Sequence, residues 1–394
     1  MDITGLTKSI EDAASAGPDT LGEPERQKLL ATCMKLSEQL KKPHELVLEI
    51  STGSLKPAIL RLAIEMRLFE IAARAPEKTL TLSDLAKESK VDELLLLRVL
   101  RLLVGMSFFT EQANQTYTLT HTGSYLVPGT PFYSWIVIDD TNQQAIAKLT
   151  SYFQEREFAN PSNTKDTPFN YAFNTSETFF SWLSTRPQMG AAFNHVMQFG
   201  KMLRGPDWFE FFPVEDKLAA HSAQATIIDI GGGTGGDLLN FKKHHPSYPG
   251  RLVLQDLPEV LADAKTEELT AAGVELQPHS FLHPEPEAFH GAMAYVIKNC
   301  LHDWPEAEAR TILKHIADAM SEESTLLVCE TSLSEQGVPF MNAVFDWVMM
   351  IQFAGLERTE KQWKALFESV GLVIRQIWPS PVAKFTVVFE LKKM

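Results

Sequence analysis

The run Thr226-Ile-Ile-Asp-Ile-Gly231-Gly-Gly-Thr-Gly-Gly-Asp-Leu-Leu239 constrains the fold of this chain more than any other stretch. Thr226, Ile227, Ile228 and Ile230 are β-branched, so the segment reads as a buried strand. Five glycines and one threonine follow before an apolar helical pattern begins. Glycines at 231, 233 and 235 let the backbone turn sharply and approach a ligand more closely than any Cβ allows. Leu252-Val-Leu-Gln-Asp256 repeats the strand pattern and ends on a carboxylate. In nucleotide-binding α/β folds, an acid at that place grips ribose hydroxyls. A tight βα turn without a ligand accounts for the glycines but not for Asp256, so a nucleoside cofactor is expected.

The rest of the C-terminal half continues the alternation. Strands are predicted near 226–230, 252–256, 274–277, 293–298 and 325–330, separated by helical stretches. Two more follow at Leu372–Trp378 and Phe385–Leu391, joined by Pro379-Ser-Pro-Val-Ala-Lys384. Five βα units and a terminal antiparallel pair are the order of a seven-stranded sheet closed by a reversed strand, not that of the dinucleotide-binding dehydrogenases.

Toward the N terminus, residues 1–22 read as polar and frayed, followed by an amphipathic helix over Glu23–Leu40 that Lys41-Lys42-Pro43 stops. A second helix is predicted over Leu55–Arg74. Thr81 or Ser83 is expected to cap a short helix from Asp84 to Ser89, and Asp92 to cap a leucine-rich one from Glu93 to Val104. Two short strands follow near Phe108-Phe109 and Tyr117–Thr120. This is the order of a winged helix, yet the third helix offers only Arg98 and Arg101 against Asp92 and Glu93. DNA reading needs more basic residues there, so dimerisation is expected, with packing inside a monomer as the alternative. Residues 131–225 read as mostly helical and rich in Phe, Trp, Asn and Gln.

Composition narrows the partners. A net charge of -14 argues against a nucleic-acid surface. No apolar run approaches the ~18 residues of a membrane span, and the N-terminal stretch carries no apolar signal core. Cys33, Cys300 and Cys329 form no metal spacing and suit a reducing, cytoplasmic setting. His279 and His283 are four apart, but Pro278 and Pro284 flank them, so no metal is expected.

Val296-Ile-Lys-Asn-Cys-Leu301 leads into His302-Asp303-Trp304-Pro305 and then a helix with Ala309, Ile312, Leu313, Ile316 and Met320 on one face. Ligands in open α/β sheets bind beyond the carboxyl ends of strands, so His302 is placed on the same rim as the glycine turn. Read alone, Asp303 and Pro305 start a helix and His302 is a bystander. Two further acids alter that balance. Glu330 ends the fifth strand, and Glu357 precedes Arg358-Thr359, where Thr359 and Gln362 form a capping box. A histidine acting as general base needs its tautomer and orientation fixed, and a neighbouring carboxylate supplies both.

At these residues the chain resembles the plant-type small-molecule O-methyltransferases, the caffeate and flavonoid family, in the branch found in fungal natural-product pathways. The resemblance runs from about residue 45 to the end. It rests on Asp229–Gly235, Gln255-Asp-Leu-Pro258, Lys298 with Leu301-His-Asp-Trp304, Cys329-Glu330 and Glu357-Arg-Thr359. It implies an α/β class I methyltransferase fold: a Rossmann-like seven-stranded sheet with an N-terminal, winged-helix-like dimerisation domain. Residues 1–130 would dimerise, 131–225 would form a helical acceptor-binding connector, and 226–394 would bind S-adenosylmethionine. His302 would deprotonate the acceptor hydroxyl, with Glu330, Glu357 and Asp303 around it. Gly231, Gly232, Gly233 and Gly235 would cradle the methionine part of the cofactor, Asp256 with Leu257 would hold its ribose, and Lys298 would lie by the adenine edge. Phe193, Asn194 and Met197 would line the acceptor from one helix; Trp347, Met349 and Met350 would line it from another. For these positions simple core packing competes as a reading.

The sequence departs from the family at Pro278-His279-Ser280-Phe281, where an acid that contacts the adenine amine is usual. Ser280 accepts a hydrogen bond without charge, and Phe281 would cover the adenine face. The resemblance implies a homodimer that methylates a hydroxyl of a phenolic, enolic or polyketide-like small molecule. Some fungal relatives instead use the same site, with cofactor bound, for dehydration or pericyclisation, and that alternative stays open.

Overall fold

The computed structural model describes residues 3–17, 20–203, 205–218, 225–383 and 385–394. Its N-terminal part is helical. Ile3–Ala16 forms a helix where the polar sequence reads as frayed. Glu23–Leu40 is helical as expected, but Pro43 starts a new helix, Pro43–Gly53, rather than only ending the previous one. Proline suits a first helical turn, where its missing N–H costs nothing, and the Glu45 carboxylate accepts the Lys42 N–H at 2.7 Å. Neither helix has a buried residue, and Leu30, Met34, Val47 and Ile50 face outward.

The predicted helix over 55–74 is two helices, Leu55–Glu65 and Leu68–Arg74, broken where Arg67 takes φ 59°. Thr81 and Asp92 cap the helices Leu82–Ser89 and Glu93–Gly105, accepting N–H bonds from Asp84 and Leu95. Strands β1 (Thr79–Thr81), β2 (Phe109–Gln112) and β3 (Thr116–Leu119) form a small sheet ordered β1-β3-β2, one strand more than expected. Leu68, Phe69, Leu96, Leu100 and Phe109 are buried in the core beneath it.

The C-terminal part is built on β4 (Thr226–Ile230), β5 (Arg251–Asp256), β6 (Val274–Pro278), β7 (Ala294–Lys298), β8 (Thr325–Thr331), β9 (Leu372–Pro379) and β10 (Thr386–Lys393). Their order is β6-β5-β4-β7-β8-β10-β9. The pairs from β6 to β8 are parallel, and β10 runs antiparallel to both β8 and β9. This is the expected seven-stranded sheet with its reversed strand. Of the predicted β9–β10 connection, Lys384 lies outside the described residues. Strand alternation sends Ile228, Ile230 and Ile297 to one face, against Ile312, Trp363 and Phe367, and Ile227 and Val296 to the other, against Phe209 and Phe241.

Chain order reverses between β4 and β7, the switch point at which open α/β sheets leave a crevice. Registers Ile230↔Gln255, Ile230↔Ile297 and Lys298↔Cys329 bring the glycine turn, the 299–304 loop and Glu330 to one rim. Above it the helices Pro131–Ile146, Pro168–Phe173, Phe179–Ser184 and Pro187–Leu203 pack through Phe169, Phe179 and Trp182. The helix Phe340–Phe353 joins them, with the Phe353 ring 5.2 Å from that of Phe179.

The 299–304 loop is held from both sides. Asn299 takes φ 49°, a left-handed conformation that asparagine tolerates better than most residues. Glu330 Oε1 accepts the N–H groups of Cys300 at 3.0 Å and Leu301 at 2.8 Å. The fully buried Arg358 donates to the carbonyls of Leu301 at 3.0 Å and Trp304 at 3.1 Å. The Leu356 N–H reaches the His302 carbonyl at 2.9 Å. Gly355 lies so close that a Cβ there would stand 2.2 Å from the His302 carbonyl oxygen. A methyl group at 355 therefore displaces backbone, not a flexible side-chain end. Gly355→Ala should cost about 1–3 kcal/mol of stability and lower turnover by about 10²-fold through misplacement of the loop. Calorimetric unfolding and steady-state kinetics check this, and wild-type values in both would contradict the clamp.

Candidate active site

The glycine turn is shaped by two different demands. Gly231, Gly233 and Gly235 have φ of 66°, 62° and 79°, where L side chains are strained. Gly232 has ordinary φ, but a Cβ there would meet Asp229 Oδ2 at 2.4 Å and Leu254 at 2.5 Å. At Gly233 a Cβ would meet nothing within 4 Å, so that glycine keeps its backbone face open. The Gln255 carbonyl fixes the turn by accepting from Gly231 N at 2.9 Å and Gly232 N at 3.2 Å.

Asp256 stands over the same turn. Its two carboxylate oxygens accept Gly233 N and Leu257 N, both at 2.7 Å. Burial raises its pKa, while those two N–H groups hold it down. A carboxylate has about four acceptor positions, so two remain for a diol. Leu257 is an exposed apolar residue beside it. Phe281 follows β6 and approaches within 3.1 Å of the place a Gly231 Cβ would take, its ring 5.7 Å from Trp304 at 89°. Ser280 is half-buried next to it. An open glycine backbone, a rim carboxylate, exposed Leu257 and the Phe281 face together fit a nucleoside with a charged tail, as S-adenosylmethionine has.

Lys298, expected by the adenine edge, is bonded to two carboxylates. Alternation along β7 turns its side chain to the face opposite Phe281. There its ammonium bonds Asp237 Oδ2 at 2.6 Å and Asp207 Oδ1 at 3.3 Å, while Asn240 donates to the other Asp207 oxygen. Burial opposes the charge, and the two carboxylates more than offset it. Lys298 thus ties the helix after the glycine turn to the connector. Gly205, Asp207, Trp208, Lys298 and Cys329 enclose a cavity of about 20 Å³ beside this network.

His302 sits on the 3-10 turn Leu301–Asp303 with its side chain 15% exposed. Its Nδ1 pairs with Glu357 Oε1 at 2.8 Å, and its Nε2 lies 3.5 Å from Asp303 Oδ1. Glu330 does not bond the ring. It acts on the loop backbone and through its charge. Burial disfavours a charged imidazole, but Asp303, Glu330 and Glu357 outweigh it and push the ring's pKa up to about 10. Burial and Glu357 likewise push Glu330 up to about 7 against the opposing pull of His302.

The expected acceptor-lining residues lie on two helices, of which Phe340–Phe353 reaches the turn that carries His302. Phe193 packs in the aromatic cluster against Phe179 and Phe180, while Asn194 is exposed and Met197 38% exposed. On Phe340–Phe353, Met349 contacts that cluster, Met350 is half-buried, and Trp347 is 49% exposed beside Phe153. Sequence reasoning missed Arg358, Gly355, Asp346, Asp207 and Asp237. Arg358 stands inside a motif already singled out, between Glu357 and Thr359. The others carry no local signal, because long-range partners define them.

Residues 154–373 match the O-methyltransferase domain and residues 48–129 the O-methyltransferase dimerisation domain. The chain is 30% identical over 334 residues to demethylsterigmatocystin 6-O-methyltransferase of Aspergillus flavus, covering 84% of each protein. It is 28% identical, over the full length of both proteins, to O-methyltransferase lepI of Aspergillus flavus. Its fold matches a solved structure described as a pericyclic reaction enzyme with a TM-score of 0.85 at 25% identity, covering 99% of this chain and 100% of the other. These likenesses, and a seven-stranded sheet carrying the glycine turn and its rim acid, mean that the chain belongs to the S-adenosylmethionine-dependent O-methyltransferase family.

Proposed function

We propose that the protein methylates a hydroxyl of an aromatic or enolic natural product, with His302 as general base. The observation that carries this is the 2.8 Å bond from His302 Nδ1 to Glu357, made on the rim that also carries Gly233 and Asp256. With Nδ1–H committed to a carboxylate, a neutral ring presents its Nε2 lone pair away from Glu357. Asp303 beside Nε2 and Glu330 beneath the loop stabilise the imidazolium that forms when the acceptor gives up its proton. The mitigating cost is that these acids also hold the resting ring protonated. S-adenosylmethionine, when bound, supplies the electrophilic methyl carbon on a sulfonium whose positive charge disfavours a protonated imidazole nearby.

In this reading residues 1–130 form a dimerisation unit, 131–225 the acceptor-binding connector and 226–394 the cofactor domain. Gly231, Gly232, Gly233 and Gly235 with Asp256 and Leu257 hold the cofactor, and Ser280 with Phe281 covers its base. Phe193, Asn194, Met197, Trp347, Met349 and Met350 line the acceptor. The outward-facing apolar residues of Glu23–Leu40 and Pro43–Gly53 support a homodimer. Flat aromatic and methionine surfaces suit a planar guest with few polar groups.

A second reading has specific support. The match to lepI spans both whole chains, and the ring's pKa of about 10 favours an imidazolium able to donate a hydrogen bond. Such a site serves dehydration or pericyclisation without methyl transfer. Incubation with a polyketide–amino-acid hybrid separates the two: a gain of one methyl with release of S-adenosylhomocysteine marks transfer, whereas an isomer or dehydrated product without that release marks the alternative.

His302→Ala should lower methyl transfer by about 10²–10⁴-fold, the usual contribution of a positioned base, while cofactor affinity measured by calorimetry holds. Unchanged turnover in that variant would remove the assigned base. The base works unprotonated, so kcat must rise with pH until the ring has lost its proton and then level off; the acids set that point above the ordinary histidine value of 6.5, and the bound sulfonium keeps it below the free ring's about 10. Glu357→Gln removes one cause of the elevation and should move that limb to lower pH. A pH–rate profile that is flat or falls above neutrality would contradict the assignment.

A further inference from the structure

One residue of the helix Phe340–Phe353 hydrogen-bonds to Glu357, the partner of His302. Asp346 Oδ1 accepts the Glu357 N–H at 2.9 Å, which among the described residues is its only hydrogen bond. No cation among the described residues pairs with it. Asp346 precedes Trp347 and stands three and four positions before Met349 and Met350, so the latter two share its helix face. The same helix ends in a left-handed turn at Ala354, φ 55°, where Ala354 N donates to Met350 O and Gly355 N to Met349 O. Two residues on, Glu357 bonds the ring. Acceptor-lining side chains, Asp346 and the partner of His302 thus lie on one continuous hydrogen-bonded segment.

A backbone N–H needs an acceptor but not a charge, and an asparagine or serine would serve. Here a half-buried carboxylate stands beside a second carboxylate, an arrangement that costs stability and that recurs where proton affinity is being set. Burial and the Glu357 charge both raise the Asp346 pKa, while the N–H bond opposes them. The charged groups facing the ring are then Asp303 from its own loop, Glu330 from β8 and Glu357, with Asp346 one bond further out.

We propose that Asp346 is a positioning residue that couples seating of a planar aromatic or enolic acceptor on the Phe340–Phe353 helix to the orientation and basicity of His302. The coupling rests on His302 being the base. A guest pressed against Met350 and Trp347 moves or braces the helix, and Asp346 passes that displacement to the Glu357 backbone. Its negative charge also strengthens Glu357 as the acceptor of Nδ1–H.

The test uses the full chain with Asp346→Asn, Asp346→Ala and His302→Ala, and the phenol from a catechol and naphthol panel that the wild type methylates best. Asparagine keeps the acceptor oxygen and removes the charge. It should retain kcat within a few-fold and shift the rising limb of kcat to lower pH. Alanine removes both and should lower kcat at least tenfold with a smaller change in acceptor KM. S-adenosylhomocysteine should bind both Asp346 variants within about twofold of wild type; should the alanine variant fail to fold, the asparagine variant decides through its pH limb. Wild-type kcat and pH limb in the Asp346 variants overturn the proposal, as does an equal loss in both with the limb unmoved. If His302→Ala retains turnover, the base itself is wrong and both readings fall. If it is inactive while the Asp346 variants behave as wild type, only the coupling falls.

Discussion

Everything in the candidate site depends on how the backbone between Cys300 and Trp304 is bonded. Its N–H groups at 300 and 301 point to one buried carboxylate, Glu330, and its carbonyls at 301 and 304 to one buried guanidinium, Arg358. A buried loop must pair its backbone groups somewhere, and here charged side chains, not a strand ladder, do most of that pairing. Hydrogen bonds to charged groups are stronger than neutral ones, so the loop is stiffer than its length suggests. Glu330 takes the N–H groups of the loop and Arg358 its carbonyls, and neither bonds the imidazole. The ring stays free to exchange a proton while the main chain that carries it is fixed.

The same arrangement sets the electrostatics. Three acids near one imidazole raise its proton affinity well above that of a histidine in water. In the proposed role a ring of that strength suits a phenol, whose own proton is held tightly near pH 10, better than an ordinary histidine would. In that proposed role the ring must also be unprotonated when the acceptor arrives. A rim that also admits a cationic methyl donor reconciles the two, since positive charge beside the ring works against the carboxylates. The Lys298–Asp237–Asp207 network lies on the other face of the sheet and neutralises its own cation locally.

The sheet was readable in the sequence because its signals are local. Strand β4 is a β-branched run, Gly231, Gly233 and Gly235 have a backbone reason, and the terminal pair β9–β10 follows from two apolar runs with a short link. His302, Glu330 and Glu357 could be singled out because each closes or follows a recognisable element. Other features are set by tertiary partners. The break at Arg67 has no proline or glycine to mark it. Pro43 is the same residue whether it stops one helix or begins the next. The face to which Lys298 turns is set by strand alternation and by Asp207 and Asp237, none of which its motif reveals. Arg358 shows in the sequence only as the residue between Glu357 and Thr359, until the carbonyls of Leu301 and Trp304 are known to be beside it.

His302 is held as a strongly basic ring, bonded through Nδ1–H to Glu357 and kept off the bulk solvent. Nitrogen-15 NMR of the histidine-labelled protein, with the His302 signals assigned by their loss in a His302→Asn variant, reads protonation and tautomer at each ring nitrogen. The account predicts an imidazolium at neutral pH in the cofactor-free protein, with Nδ1–H hydrogen-bonded and a titration midpoint well above 6.5, toward about 10. A ring that titrates at or below the ordinary histidine value, or whose proton sits on Nε2 with Nδ1 bare, would contradict it.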